Sequence, residues 1–192
     1  QLSLSGLFPP GDDDEHYYRL DYNQFLNAEG TQLALSASRY RADPGTNVQL
    51  DNGIELKPHR ENDRYSIGFS HPFIASPNEL LGAGARLYAV NDKTRYQVVG
   101  FPLTLEERTD IRALAFESDW RKADEKQLRI LSGGLYQGID GMGAKTNNPE
   151  LDLDFFRLRF SGVQSDKFFD NWQGVISAAS YWSDDTLPAS ER

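Results

Sequence analysis

The chain offers no sequence motif for metal binding or for nucleophilic catalysis. It contains no cysteine, and its three histidines, His16, His59 and His71, match no ligand spacing such as His-Glu-x-x-His. The acidic run at residues 12–15 lacks the glycine and the terminal glutamate of an EF-hand loop. No Gly-x-Ser-x-Gly motif supports a Ser-His-Asp triad. We therefore expect no enzymatic activity, no metal site and no cofactor.

Arginines carry most of the functional information. Five of them lie within segments in which polar and apolar residues alternate, on the polar side of the alternation. If these segments formed a barrel, the guanidinium groups would line a water-filled lumen, hydrated and able to pair with acids such as Asp21 and Glu117. Glu117 alternates in step with Ala113 and Ala115, on the apolar side of its segment. It therefore either lies near a membrane interface or contradicts this assignment of the two sides. The candidate lumen-lining residues are Arg86, Arg112, Arg129, Arg157 and Arg159.

The alternation predicts an all-β chain, because side chains of a strand point to its two faces in turn. The clearest hairpins join 17–26 to 32–38 through a turn at 27–30, and 64–73 to 81–90 through a turn at 75–78. Further strands are expected near 96–105, 110–120, 127–137, 153–164 and 171–182. Two stretches rich in turn-forming residues, 42–63 and 139–150, predict long loops at one end of the sheet, with tight turns at the other.

The overall composition excludes several classes of protein. Lys and Arg total 20 and Asp and Glu total 29, so the net charge is -9 and the chain is a poor partner for nucleic acid. No window approaches the roughly 18 to 20 consecutive apolar residues of a membrane-spanning helix. Residues 1–6 lack the basic and apolar regions of a signal peptide. Membrane-spanning strands are not excluded by any of these observations.

Two architectures explain the alternation. A soluble β-sandwich buries one parity in a dry core and exposes the other to water. A transmembrane β-barrel turns the apolar parity to lipid and the polar parity to the lumen, with aromatic girdles at both interfaces. Strand segments of about 10 residues, aromatic residues near strand ends, and long loops alternating with tight turns favour the barrel. The residues expected to face lipid are Leu20, Leu33, Leu35, Ile67, Phe69, Leu87, Leu158 and Phe160.

Four segments in register resemble one family of outer-membrane proteins. They are YSIGFSHPFI at 65–74, LYQGIDGMGA at 135–144, the strand 153–164, and YWSDDTLPASER at 181–192. In order and spacing they resemble the transporters of two-partner secretion, the hemolysin secretion/activation family, which carry a Gln-Gly-Leu-Asp-Gly-Leu-Gly-Ala segment and a loop beginning Leu-Pro-x-Ser-Glu. The residues that match this loop start are Leu187, Pro188, Ser190 and Glu191. Residues 1–63 fit the first barrel strands by pattern more than by motif.

The resemblance implies an antiparallel up-and-down transmembrane barrel of about 16 strands, preceded by two periplasmic POTRA domains that bind the unfolded partner. This chain contains neither a POTRA-like mixture of helices and strands nor a lumen loop with an Arg-Gly-Tyr tip, so we expect residues 1–192 to be part of the barrel domain, without its C-terminal strands.

The implied function is type V secretion: export and activation of a large adhesin-type or hemolysin-type exoprotein across the outer membrane of a Gram-negative bacterium, without ATP. The implied partners are that exoprotein, unfolded during transit, and membrane lipid. The alternative is a soluble secreted or periplasmic β-sandwich that binds carbohydrate through exposed tryptophans and tyrosines.

Overall fold

A computed structural model describes residues 1–8, 14–43, 47–50, 53–168, 172–188 and 191. These residues form one 11-stranded antiparallel sheet. The strands are β1 (Leu2–Leu7), β2 (Asp14–Phe25), β3 (Gln32–Asp43), β4 (Val48–Gln49), β5 (Glu55–Ala75), β6 (Glu79–Val98), β7 (Thr104–Ala123), β8 (Gln127–Gly138), β9 (Lys145–Thr146), β10 (Phe156–Phe168) and β11 (Trp172–Ser183). The described part of the chain contains no helix of the length and apolar character needed to cross a membrane.

Most strands follow one another across the sheet in chain order. The path is β1-β2-β3-β5-β6-β7-β8-β10-β11, and the short strands β4 and β9 pair with β5 and β7. The prediction of an all-β, antiparallel, up-and-down sheet is therefore confirmed. Among the described strands, β1 pairs only with β2 and β11 only with β10, so the sheet is open at both edges.

Tight turns and longer connections lie at opposite ends of the sheet. The turns after β2, β5 and β7 lie at what we call the turn end, and the connections after β3, β6, β8 and β11 lie at the loop end. The two predicted turns are confirmed. In the first, the Asn27 side chain accepts a hydrogen bond from the Thr31 N–H at 2.9 Å, and Gly30 has a φ of 92°. In the second, the Ser76 N–H donates to the Glu79 carbonyl at 2.8 Å.

Strands β5, β6 and β7 are longer than the sequence predicted, with 21, 20 and 20 residues. The predicted loop at 42–63 is wrong because β5 already begins at Glu55. The predicted strand at 96–105 is also wrong: β6 continues to Val98, and a turn through Gly100 (φ 84°) leads into β7. The first error comes from polar residues that form strands here because a neighbouring strand pairs with them. In the second, Val99, Phe101 and Leu103 imitate a strand alternation, but the turn-forming Gly100 and Pro102 lie between them.

Ionic and hydrogen-bonded side chains stabilise this extension of the three long strands. Lys93 Nζ lies 2.9 Å from the Glu106 carboxylate. His59 hydrogen-bonds to Asp43 through Nδ1 and to Glu61 through Nε2, the latter at 3.1 Å. These two hydrogen bonds, the one to Asp43 first, raise the pKa of His59 above its ordinary value. We call residues 55–64, 91–98 and 104–111 the arm.

The two faces of the sheet differ in chemistry. Residues paired across neighbouring strands share a face, so Ala85 of β6 lies on the face of Phe69 and Phe116. We call this the apolar face; the face of Arg86 and Tyr88 is the polar face. Phe69 is 51% exposed and Phe116 is 50% exposed. No second sheet covers them in the described part of the chain.

The most deeply buried packing lies on the polar face, around the middle of β7. Ile111 is 1% exposed and Ala115 is 0% exposed. Leu153 and Phe155, from the connection between β8 and β10, belong to the same buried cluster. Gly138 permits this approach, because a Cβ atom there would lie 2.7 Å from Phe155 Cδ1. The connection therefore folds back over the polar face.

Candidate functional site

The polar face lines a half-open cavity of about 740 Å³. Side chains from β2, β3, β5, β6, β7, β8 and β10 line it, so the sheet is concave on this side. The lining is dominated by arginines, tyrosines and serines. It also includes Glu191, which belongs to the segment after β11 and not to the sheet.

Glu191 is held on the polar face by residues far from it in sequence. It is 6% exposed, and its carboxylate accepts a hydrogen bond from the Tyr88 hydroxyl at 2.9 Å. Arg157 Nη2 lies 3.1 Å from the same carboxylate, and Arg157 Nη1 donates to the Glu191 backbone carbonyl. The segment after β11 is thereby anchored to β6 and β10.

The contacts continue around to Glu117. The Arg157 guanidinium stacks 4.1 Å from the centre of the Tyr136 ring, and the Tyr136 hydroxyl donates to Glu117 at 2.7 Å. Arg86 Nη2 lies 3.3 Å from Glu117, and the Arg86 guanidinium lies 5.2 Å from the centre of the Tyr88 ring. The contacts therefore close into a cycle. We call its members the Glu191 ring: Arg86, Tyr88, Glu117, Tyr136, Arg157 and Glu191.

Small residues make room for this ring. Ala115 lies between Arg86 and Tyr136 in one cross-strand row. Gly134 pairs with Glu117, and a Cβ atom at Gly134 would lie 2.8 Å from the Tyr136 ring. The sequence prediction missed Tyr136. The available signal was the pair Gly133-Gly134 within an alternating strand, because such glycines leave room for a large neighbouring side chain.

Three of the five predicted arginines share the polar face. Arg86 and Arg157 belong to the Glu191 ring, and Arg159 lines the cavity beside them. Arg112 and Arg129 lie on the apolar face instead, so placing them with the other three was wrong.

The reason for the error lies in β7 and β8. Ile111 is apolar yet faces the polar side, where the β8–β10 connection covers it, so Arg112 is left on the opposite face. Arg112 donates to the Asn91 side chain at 2.9 Å. Arg129 lies two residues from the start of β8 and pairs with Lys122. Both arginines therefore lie near the ends of the apolar surface, where charges are tolerated.

The residues predicted to start a loop pack onto the polar face. Leu187 lies against the buried cluster, Pro188 is fully buried, and Glu191 joins the ring. Ser190 lies outside the described residues. The eight residues predicted to face lipid do share the apolar face, as the pairing registers require.

The apolar face carries a band with a polar border at the loop end. Arg39, Asp63 and Asn91 form one cross-strand row on β3, β5 and β6. On β7 the border residue, Arg112, lies two residues nearer the turn end than this row, and on β8 Gln137 lies four residues nearer. From β3 to β8 the border thus shifts by four residues over four pairs of neighbouring strands, an average of one residue per pair. With a rise of about 3.3 Å per residue and strands about 4.8 Å apart, this average corresponds to a tilt of about 35°.

The opposite border shifts in the same direction. Glu79, Lys122 and Arg129 form one row on β6, β7 and β8 at the turn end. His71 on β5 lies four residues nearer the loop end than this row, and Gln24 on β2 lies six residues nearer. The apolar band therefore runs obliquely across the strands.

The height of the band differs between strands. On β6, Leu81 to Ala89 separate the border residues Glu79 and Asn91 on the apolar face, which is about nine residues of strand. On β8 only Leu131 to Leu135 lie between the border residues Arg129 and Gln137, which is about five residues. At the tilt given above, these lengths correspond to about 24 Å and about 13 Å, and the apolar band of outer-membrane barrels is about 25 Å high.

No protein family, curated protein or solved structure matches this chain. No cluster of His, Asp or Glu side chains suited to a metal ion occurs in the described ranges.

Proposed function

We propose that this sheet is part of a β-barrel that crosses the outer membrane of a Gram-negative bacterium. Its apolar face contacts lipid, and its polar cavity is part of the lumen. The observation that carries the proposal is the oblique apolar band, bordered by polar residues on both sides and left bare by the protein. Transmembrane strands tilt by about 35–45°, and this is the slope that the band has on the strands.

The open edges agree with this proposal. Edge strands present unpaired backbone groups, which in a membrane must be satisfied by a further strand. On β11 the exposed side chains include Trp172, Ile176 and Tyr181, at 75%, 74% and 67%. Additional barrel strands would pair with β1 and β11 and close the sheet.

The alternative, a carbohydrate-binding β-sandwich, lacks support in the described residues. A sandwich requires a second sheet on the apolar face, and all the described strands belong to one sheet. A water-exposed apolar band of this extent would also aggregate.

The orientation follows from the arm. On the apolar face of the arm, polar and charged residues such as Lys57, Lys93 and Glu106 replace the apolar residues of the band. The arm must therefore project from the bilayer.

In outer-membrane barrels the longer connections are extracellular and the short turns periplasmic, so we assign the loop end to the cell exterior. Protease added to intact cells should cut the connection after β3 or β8 and spare the turn after β5; cleavage confined to that turn would reverse the assignment.

We further propose that the barrel is a transporter of two-partner secretion, which threads one large exoprotein through its polar lumen. The support is the resemblance of four segments, together with the anchoring of Leu187, Pro188 and Glu191 on the polar face. The lumen conducts an unfolded, extended chain, and folding outside the cell gives the export its direction. No side chain performs covalent chemistry in this mechanism.

The test is export of the exoprotein encoded next to this protein. A deletion strain should retain the exoprotein inside the cell, and the wild-type gene should restore export. A matched control is the gene with Asn91→Ser, a change at the border of the band that keeps a polar side chain. Unchanged export in the deletion strain would remove the secretion hypothesis while leaving the membrane barrel to its own test.

A further inference from the structure

The cavity carries an excess of positive charge although the chain as a whole is acidic. The net charge of the chain is -9. Six arginines line the cavity, against three carboxylates. The six are Arg19, Arg60, Arg64, Arg86, Arg157 and Arg159, and the carboxylates are Asp92, Glu117 and Glu191.

Half of these arginines already have a carboxylate partner. Arg86 and Arg157 pair with the two glutamates of the Glu191 ring. Arg19 pairs at 2.7 Å with Asp21, which lies beside the cavity lining. These pairs cancel in charge and stabilise the wall.

The other half forms no ion pair within the described ranges. Arg64 donates to the neutral Asn62 side chain at 3.0 Å, and neither Arg60 nor Arg159 contacts a carboxylate there. The remaining carboxylate of the lining, Asp92, lies on β6 opposite Asn62, between the rows of Arg60 and Arg64. Three arginines therefore face the cavity against one carboxylate.

We infer that the cavity is an anion-selective passage, in which Arg60, Arg64 and Arg159 attract carboxylate groups of a passing chain or small anions. This inference rests on the proposed membrane pore. Arginines that outnumber the carboxylates around a confined aqueous space lower the energy of anions and raise that of cations, which is how charged rings confer selectivity in channels. A transported polypeptide would then be favoured where it is acidic.

The experiment uses the full-length protein in planar phospholipid bilayers with a KCl gradient. The wild-type reversal potential should mark chloride as more permeant than potassium. The variant R60Q/R64Q/R159Q should shift the reversal potential toward that of potassium. The control R39Q/R95Q/R129Q removes the same number of charges from the apolar face and the arm, and it should leave the reversal potential unchanged.

A second measurement in the same bilayers distinguishes acidic polypeptides from small anions. Oligoglutamate should reduce the current through the wild-type pore more than oligolysine does, and R60Q/R64Q/R159Q should lose this block. Chloride selectivity without block by oligoglutamate would support the inference that small anions pass, and it would overturn the inference that acidic polypeptides are favoured. Preference for potassium, or equal shifts in both triple variants, would overturn the inference alone. Absence of any conductance would overturn the proposed pore, and the inference with it.

Discussion

A lysine in the middle of the apolar band tests whether lipid covers it. Ala85 lies on the apolar face of β6, six residues from each border residue, Glu79 and Asn91. Its cross-strand neighbours are Phe69 and Phe116. The perturbation is Ala85→Lys, and its matched control is Asn91→Lys, on the same strand and the same face. Ala85→Leu tests whether size alone matters at this position.

The depth of the two positions sets the expected magnitudes. A lysine on the lipid face costs about 2–4 kcal/mol at the bilayer midplane and about 0–1 kcal/mol near an interface. The two lysine variants should therefore differ by about 2–3 kcal/mol in the free energy of unfolding, which is roughly 30-fold to 150-fold in the ratio of folded to unfolded protein. On a water-exposed face Ala85→Lys would change the stability by less than about 0.5 kcal/mol. Asn91→Lys loses the hydrogen bond from Arg112 on either kind of face, so it would then be the more destabilising of the two substitutions.

The assay is equilibrium unfolding of the full-length protein in phospholipid vesicles, followed by tryptophan fluorescence across a guanidinium titration. Ala85→Lys should unfold at lower denaturant than Asn91→Lys, and Ala85→Leu should resemble the wild-type protein. An effect of Asn91→Lys equal to or larger than that of Ala85→Lys would refute the membrane band. A folded, monomeric wild-type protein in water without lipid or detergent would refute it as well.

Three further predictions concern other parts of the sheet. Glu191→Gln leaves Arg157 without its carboxylate partner and should lower the free energy of unfolding by about 2–3 kcal/mol, less than for a fully buried pair because Arg157 keeps some exposure; adding Arg157→Gln should recover part of this loss in a double-mutant cycle. Gly138→Ala places a methyl group against the Leu153 carbonyl and should increase protease cleavage of the connection between β8 and β10, whereas a neutral outcome would mean that this connection moves freely. His59, whose pKa is raised by its carboxylate neighbours, stabilises the arm below about pH 6.5, and this stabilisation should disappear as the pH rises through the pKa of the folded state; the protection factors of the arm amides, which are corrected for the intrinsic exchange rate at each pH, should fall over this range in the wild type and stay constant in His59→Gln.

The sequence predicted the two faces well because alternation maps directly onto them. Leu158 and Phe160 share a parity in the chain, and pairing with Leu135 and Gly133 keeps them on one face of the sheet. When both the odd-numbered and the even-numbered positions of a strand contain small apolar residues, the alternation does not predict which face an arginine takes. In β7, Ala113 and Arg112 illustrate this, because the covering connection that decides between them lies about 40 residues away in the chain.

The ring and the arm could not be predicted for a different reason. The hydrogen bond from Tyr88 to Glu191 joins residues 103 positions apart, and nothing local in either segment specifies the partner. The arm is polar on its exposed face, so a hydrophobic pattern does not mark it as a strand. Its β structure depends on pairing among three long strands, which stabilises residues of low intrinsic β-propensity.

The location of the dry core gives an independent argument about what covers the apolar face. Ile111, Ala115 and Phe155 pack on the polar face, so the connections and not a second sheet supply the buried cluster. The apolar face then has no packing partner in the described residues, although it carries the larger aromatic and aliphatic surface. A protein partner would have to match a band that crosses the strands obliquely between two polar borders. A bilayer matches such a band without side-chain complementarity, because its two interfaces are parallel planes and tilted strands meet them at successively shifted residues.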